Sequence, residues 1–258
     1  VYIEYRDRKI LFDLGASDIC MRNAAKMKID LGQVDTAVIS HGHYDHTGGV
    51  PSFCGLNKKA KIYIHENSFE KTFGMEDGKL DEKNCGIRWT GEQRNEIKDR
   101  LVLTKNAVRL TEDIMISGSI PKMEGYGSTE TFYIKKEDGS LIPDPMDHEQ
   151  FLAIRVRDEA QKSKGVFVFS GCSHNGVIPC LRYAKALFPE ERILGFLAGM
   201  HLYHTKKELR MKILKQVSAE NMDYILPVHC TGIQAICELK LLMGERCLPA
   251  GAGDRYHF

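Results

Sequence analysis

The sequence predicts an α+β protein of the αββα sandwich type, two mixed sheets flanked by helices. Three observations lead there. Strands followed by helices occur near both ends of the chain, short β-rich runs separated by turns lie between them, and no repeat, low-complexity tract or Pro/Ser linker interrupts the 258 residues. At about 100–200 residues per domain the length suits one large domain or two small ones, and the continuity favours a single domain over 1–258.

Taken in order, residues 1–5 and 9–14 read as a hairpin around the charged turn Arg6-Asp7-Arg8. Ser17 or Asp18 is placed to cap a helix through Ala24, Ala25 and Met27. Residues 36–40 form a compact apolar strand that stops at His41, and 61–65 form another. Residues 66–98 are charged, Gly-punctuated and weakly periodic, which predicts an insertion or lid. The β-like runs 101–103, 108–110, 114–117 and 131–134 suggest a second sheet. Strands at 151–156 and 166–169 bracket a charged turn, and the latter runs into Ser170-Gly171-Cys172-Ser173-His174-Asn175-Gly176. Helical spacing over 178–187, 208–219 and 233–242 alternates with strands 193–197 and 224–228.

Composition removes several classes of function. Lys and Arg total 36 against 35 Asp and Glu, so the net charge of +1 offers no field to a polyanion, and no nucleic-acid partner is expected. The mean hydropathy is −0.31 and the apolar runs are strand-length, against the ~20 residues of a membrane span, so no membrane partner is expected either. Eight cysteines with no CxxC pair are too few for a disulfide scaffold. Nothing at the start reads as a signal peptide, and a reducing, cytoplasmic setting is expected.

The densest chemistry lies in His41-Gly42-His43-Tyr44-Asp45-His46-Thr47-Gly48-Gly49, with three imidazoles and a carboxylate close together. Neutral imidazole and carboxylate suit zinc, iron or manganese, and a loop after a buried strand lets such groups converge. In an extended loop His41 and His43 can share one ion, while Asp45 and His46 point toward a second. The adjoining glycines suit close backbone approach.

HxHxDH after a hydrophobic strand resembles the signature of the metallo-β-lactamase superfamily, whose fold is the sandwich already inferred. The likeness continues in LFDLGAS (11–17), SGSIPK (117–122), SGCSHNGVI (170–178), GMHL (199–202) and PVHCTG (227–232). These stretches look like the branch that includes the dihydropterin-methyl-ribofuranosylaminobenzene phosphate synthases. That branch usually has one more N-terminal strand, which would lie before Val1, so a trimmed or partly ordered start is expected. The resemblance implies roles by position. His41, His43 and His174 would hold one ion, and Asp45, His46 and His229 a second, with water or hydroxide between them. Asp13 would orient a ligand imidazole. Cys172 stands where the superfamily places a bridging Asp and is a further candidate ligand, while His148 is the fallback for the third histidine. Asp45 and His201 are the expected catalytic groups. Lys122, Ser173 and Asn175 are the expected substrate-binding ones, with Lys122 standing where the family tends to have Arg. Thr231 is placed to cap the last helix. His65, His204 and His257 are expected to be structural or surface groups.

Function follows as an expectation. The resemblance implies two divalent ions, zinc foremost with manganese or iron as alternatives. The protein would be a hydrolase or transferase acting on a phosphorylated or diphosphorylated small molecule. A non-catalytic metal-containing ligand sensor and a nuclease-type phosphodiesterase remain as alternatives. His43 argues against a redox di-iron enzyme, which would carry Glu there.

Overall fold

The computed structural model describes residues 1–76, 79–127, 130–136 and 138–258. The chain begins with β1 (Tyr2–Tyr5), β2 (Arg8–Phe12), α1 (Ile19–Lys26), β3 (Thr36–Val38), α2 (Tyr44–Thr47), α3 (Val50–Leu56) and β4 (Lys61–His65). It continues through β5 (Thr72–Glu76), β6 (Lys79–Asn84), α4 (Gly91–Ile97), β7 (Leu101–Thr104), β8 (Val108–Arg109), β9 (Ile114–Ile116), β10 (Tyr133–Lys135) and β11 (Leu141–Pro143). The remainder is β12 (Leu152–Arg157), β13 (Ser163–Phe169), α5 (Val177–Leu187), β14 (Ile193–Ala198), α6 (Lys207–Ala219), β15 (Met222–Pro227) and α7 (Ile233–Met243). Two compact units result: Val1–Lys105 with Thr131–His148, and Asn106–Glu130 with Glu149–Phe258.

The first unit holds a five-stranded sheet in the order β1-β2-β3-β4-β7. The opening hairpin pairs Tyr5 with Arg8 across a turn in which Arg6 has φ +56°, and β2, β3, β4 and β7 run parallel. Strand β2 ends at Phe12 rather than at residue 14, because Asp13 turns into the left-handed region at φ +56°. Leu11, Ala37, Ile39, Phe53, Ile62 and Ile64 form the centre of its core. Asp18 does occupy the N-cap of α1, but its side chain makes no cap bond and accepts instead from Arg22 Nη2 at 3.1 Å. Asn57, which ends α3, is almost wholly buried. Its amide donates to the carbonyls of Leu31 and Val34 at 2.9 and 2.8 Å, and its oxygen accepts from the N–H groups of Lys59 and Ala60. Asn57→Ala strands these buried groups, and urea unfolding is expected to show a loss of about 2–3 kcal/mol with an unchanged m-value.

A second sheet of this unit has the order β11-β10-β5-β6 and is antiparallel. Two of its strands come from the 66–98 segment, of which residues 77 and 78 lie outside the described residues. The weak periodicity there has a physical cause: the edge strand β6 is the polar run KLDEKN, whose sequence offers no alternating apolar face. The segment ends in a capping box, Thr90 with Gln93, that starts α4. Its later part braces the histidine motif. Trp89 Nε1 donates to the Thr47 carbonyl at 2.9 Å, Tyr44 N donates to the Cys85 carbonyl at 2.8 Å, and the Arg88 guanidinium lies 3.6 Å from the centre of the Tyr44 ring.

The other unit is a six-stranded mixed sheet in the order β15-β14-β13-β12-β9-β8. Strands β13, β14 and β15 are parallel and the other pairings antiparallel. Val166, Val168, Phe196, Ile225, Leu181 and Leu214 bury strand and helix faces in one core. The four β-like runs expected to make a second sheet are distributed over three. Strand β7 joins β4 in the first sheet, β8 and β9 lie in this one, and β10 belongs to the small sheet. Propensity marks a strand but does not name its partner, which is a long-range choice. Thr231 is not a cap: it lies in the short 3-10 turn His229–Thr231 and donates to the Ala198 carbonyl, while Gly232 at φ +79° begins α7. Among the described residues no helix is long and apolar enough to cross a membrane. Mixed sheets flanked by helices are the α+β class that the sequence predicts.

Candidate metal centre

In both units the chemistry gathers where parallel strands end, the usual place for sites in such sheets. In the first unit Asp13 follows β2 and His41 follows β3. In the second, Cys172 and His174 follow β13, His201 follows β14 and His229 follows β15. Four of the non-glycine residues with positive φ among those described are Asp13 (56°), Ser173 (53°), His201 (49°) and His229 (51°). Such conformations cost on the order of 1–3 kcal/mol each and collect at functional sites.

The HxHxDH segment changes character at its middle. His41 lies in a bend and His43 on extended backbone, and α2 then begins at Tyr44, carrying Asp45 in its first turn and His46 in its last. The double glycine lets this turn dock, since a Cβ at Gly48 would overlap the Ala16 carbonyl and one at Gly49 the Leu14 carbonyl. The rings of His41 and His46 have centroids 4.2 Å apart, and those of His41 and His43 4.6 Å. Burial lowers the His43 pKa to about 3, so this imidazole is neutral at physiological pH with a lone pair to give.

Asp13 acts as an organiser. Its carboxylate accepts from Ser40 N at 2.7 Å and Ser40 Oγ at 2.8 Å, and its Oδ2 lies 2.6 Å from His46 Nδ1. The pairing holds the proton at Nδ1 of His46 and turns Nε2 toward Asp45, whose Oδ2 is 3.5 Å away. Ligands on one zinc-like ion at 2.0–2.2 Å stand about 3.4 Å from one another, so Asp45 and His46 fit a shared ion. His41 Nδ1 is likewise engaged, at 2.8 Å from Ser40 Oγ. Asp13→Asn keeps the shape and tolerates positive φ but loses charge and an acceptor. A fall of roughly 10–100-fold in metal affinity is expected, measured by competition with a chromophoric chelator.

His148 is buried; its Nδ1 accepts from Gly42 N at 3.2 Å and its Nε2 lies 3.5 Å from Asp144 Oδ2. Through Gly42 it braces the motif loop, and among the described residues it belongs to none of the groups of donors close enough to hold a metal ion. His65 is buried, and its Nδ1 accepts from Asn67 N, a structural cap as expected. His204 and His257 are exposed.

In the second unit the donor atoms of Cys172, His174 and His201 lie within 4.8 Å of one another, and so do those of Cys172, His229 and Cys230. The loops are laced side by side: Gly199 N donates to the Gly171 carbonyl at 2.7 Å and Leu202 N to the Cys230 carbonyl at 3.1 Å. His174 and His201 have ring centroids 4.5 Å apart, and His201 Nδ1 lies 3.2 Å from Glu130 Oε2. Ser173 and Asn175, expected to bind substrate, are buried and have polar partners. Ser173 Oγ is 3.0 Å from Ser170 Oγ, and Asn175 Nδ2 donates to Glu149 Oε2 at 3.1 Å. Lys122 is exposed.

Three residues of this unit escaped sequence reasoning. Glu149, fully buried, accepts from His174 N at 2.6 Å and Asn175 N at 2.8 Å. Glu130 pairs with His201, and Cys230 accepts from His201 N at 3.3 Å. Only the adjacency of Cys230 to His229 could have drawn notice. In this unit the imidazole and thiol groups of Cys172, His174 and His201, and those of Cys172, His229 and Cys230, are close enough to hold a metal ion.

A family model for the metallo-beta-lactamase superfamily matches residues 1–108. An uncharacterized protein of Methanocaldococcus jannaschii is 30% identical over 248 residues, which cover 93% of this chain and 86% of that one. The chain belongs to the metallo-β-lactamase superfamily. It is also 26% identical over 233 residues to the 7,8-dihydropterin-6-methyl-4-(beta-D-ribofuranosyl)-aminobenzene-5'-phosphate synthase of the same organism, covering 88% of this chain and 77% of that one. Among solved structures, Tm1679, a metal-dependent hydrolase of the beta-lactamase superfamily, is similar in fold. Its TM-score is 0.78 at 24% identity, with 99% of this chain and 93% of that one covered. As in other metallo-β-lactamase-like folds, mixed sheets flanked by helices present polar loops at their strand ends.

Proposed function

We propose that the protein is a binuclear metal-dependent enzyme acting on a phosphorylated or diphosphorylated small molecule. His41, His43 and His174 would hold one divalent ion and Asp45, His46 and His229 the other, with Cys172 as an additional donor. The observation that carries this reading is the Asp13–His46–Asp45 arrangement, in which a carboxylate fixes the imidazole and a second carboxylate oxygen stands 3.5 Å from its other nitrogen. The same loop sets the His41 ring 4.2 Å from that of His46 and 4.6 Å from that of His43, which supports ligation by several donors together. The synthase relative, whose product carries a 5'-phosphate, supports the substrate class.

When bound, divalent ions lower the pKa of water toward ~7 and stabilise an oxyanion as it forms, and zinc is the first choice, with manganese or iron as alternatives. The chain's own groups supply the rest. Asp45 orients the nucleophile or accepts its proton. His201, held through Nδ1 by Glu130, exchanges a proton at Nε2 with the leaving group. Lys122 offers a point charge to phosphate, less directional than Arg. Hydrolysis and transfer to an amine nucleophile share these parts and differ in which nucleophile is admitted. A cytoplasmic setting and the lack of a nucleic-acid partner belong to the same reading.

The test is metal analysis of freshly purified protein coupled to a screen of phosphomonoesters, diesters and diphosphates before and after chelation. About two equivalents per chain and activity restored by zinc or manganese are expected. Protein that takes up no metal would refute the reading. Two bound ions with no turnover, in a protein whose His41→Ala variant still binds ligand, would favour the sensor alternative. Salt-dependent binding of single-stranded RNA would favour the nuclease.

A further inference from the structure

Resting on the metal-centre reading, we propose that Cys230 is a thiolate ligand, paired with Cys172, and that together they make the centre selective for a borderline-soft divalent ion over hard magnesium. Cys230 is assigned no role by the HxHxDH signature. It enters because the sulfurs of Cys172 and Cys230 and a nitrogen of His229 lie within 4.8 Å of one another. Tetrahedral donors on one zinc-like ion stand roughly 3.3–3.8 Å apart, so closure asks for shifts of about an ångström or less.

Two further observations place sulfur chemistry at this spot. Cys230 Sγ accepts the backbone N–H of His201 at 3.3 Å, a contact that stabilises negative charge on sulfur. The space for that sulfur is kept open by Gly199, since a Cβ there would come within 2.8 Å of Cys230 Sγ and 2.6 Å of the Gly171 carbonyl oxygen. On ligation each S–H bond breaks, the sulfur lone pair forms the metal–sulfur bond, and the proton passes to solvent. No oxidant or reductant is involved. Thiolates favour zinc, cobalt and ferrous iron, whereas carboxylate and water suit magnesium.

The full-length, metal-free chain refilled with cobalt(II) reads the proposal directly. Near-ultraviolet thiolate-to-cobalt absorption is expected, reduced roughly by half in Cys230→Ser or Cys172→Ser and absent from the double variant. Zinc is also expected to slow alkylation of Cys230 in the native chain by about tenfold or more, measured by mass spectrometry, which needs no variant to fold. Cobalt bound without sulfur absorption, a Cys230→Ser spectrum equal to that of the native chain, or alkylation of Cys230 indifferent to zinc would each overturn the proposal and leave the metal-centre reading standing. Failure to bind either ion would overturn both.

Discussion

Replacing Glu149 with alanine is expected to destabilise the protein by about 3–5 kcal/mol, the cost of breaking a buried charged network at one partner. The carboxylate accepts from His174 N, Asn175 N and Asn175 Nδ2 at 2.6–3.1 Å, with no part of its residue exposed to solvent. Removing it leaves buried donors unsatisfied, each worth about 1–3 kcal/mol, and opens space that solvent fills poorly. Urea unfolding followed by circular dichroism measures the loss. Glu149→Gln separates shape from charge, because its amide keeps one acceptor oxygen but turns an NH2 toward a backbone N–H. A smaller loss than for alanine is expected, together with weaker metal uptake through the displaced His174 loop. An alanine variant as stable as the native chain would show that the loop holds itself without this carboxylate.

The second large effect concerns Asp45, whose side chain is about a third exposed and makes little contribution to packing. Asp45→Ala is expected to leave the folded state intact while lowering kcat/KM on the best phosphorylated substrate by roughly 10²–10⁴-fold, the usual range for a lost acid–base group. Metal analysis should show a deficit at one of two sites, because His46 keeps its orientation through Asp13 but loses the oxygen beside its Nε2. Asp45→Asn, which retains an oxygen donor, should recover metal more than activity. Native activity with a full metal complement in Asp45→Ala would remove this residue from the chemistry.

Much of the fold was legible from local pattern. Strand β4 lies where apolar alternation puts it, and α5, α6 and α7 begin and end within a residue or two of their helical spacing. Those elements are amphipathic or wholly apolar, so burial and sequence period agree. The first sheet's edge and the small sheet were not legible. Residues 101–104 are as ready to pair in one sheet as another, β6 is a polar run and β11 is exposed throughout. The boundary at Asp13 was missed by two residues for a related reason: a backbone turn to positive φ at an aspartate carries no compositional mark.

The candidate donors divide in the same way. His41, His43, Asp45, His46, His174 and His229 stand out in sequence because imidazole and carboxylate packed into short polar loops after apolar strands have few structural uses. The family resemblance pointed to Asp13, whose carboxylate does face His46. Glu149, Glu130 and Cys230 were silent, since each acts on a neighbour brought close only by the sheet: Glu149 on a loop 25 residues away, and Cys230 on the amide of His201. Ser173 and Asn175 look available in sequence, and in the structure their side chains meet Ser170 and Glu149. The sequence by itself determined most of the elements, the α+β class and the chemical types of the candidate donors, because those depend on side-chain type and short-range period. Tertiary structure alone decided which strand pairs with which, which polar atoms already have hydrogen-bond partners and which sulfurs lie beside the imidazoles, because such contacts are settled at ångström distances between residues far apart in the chain.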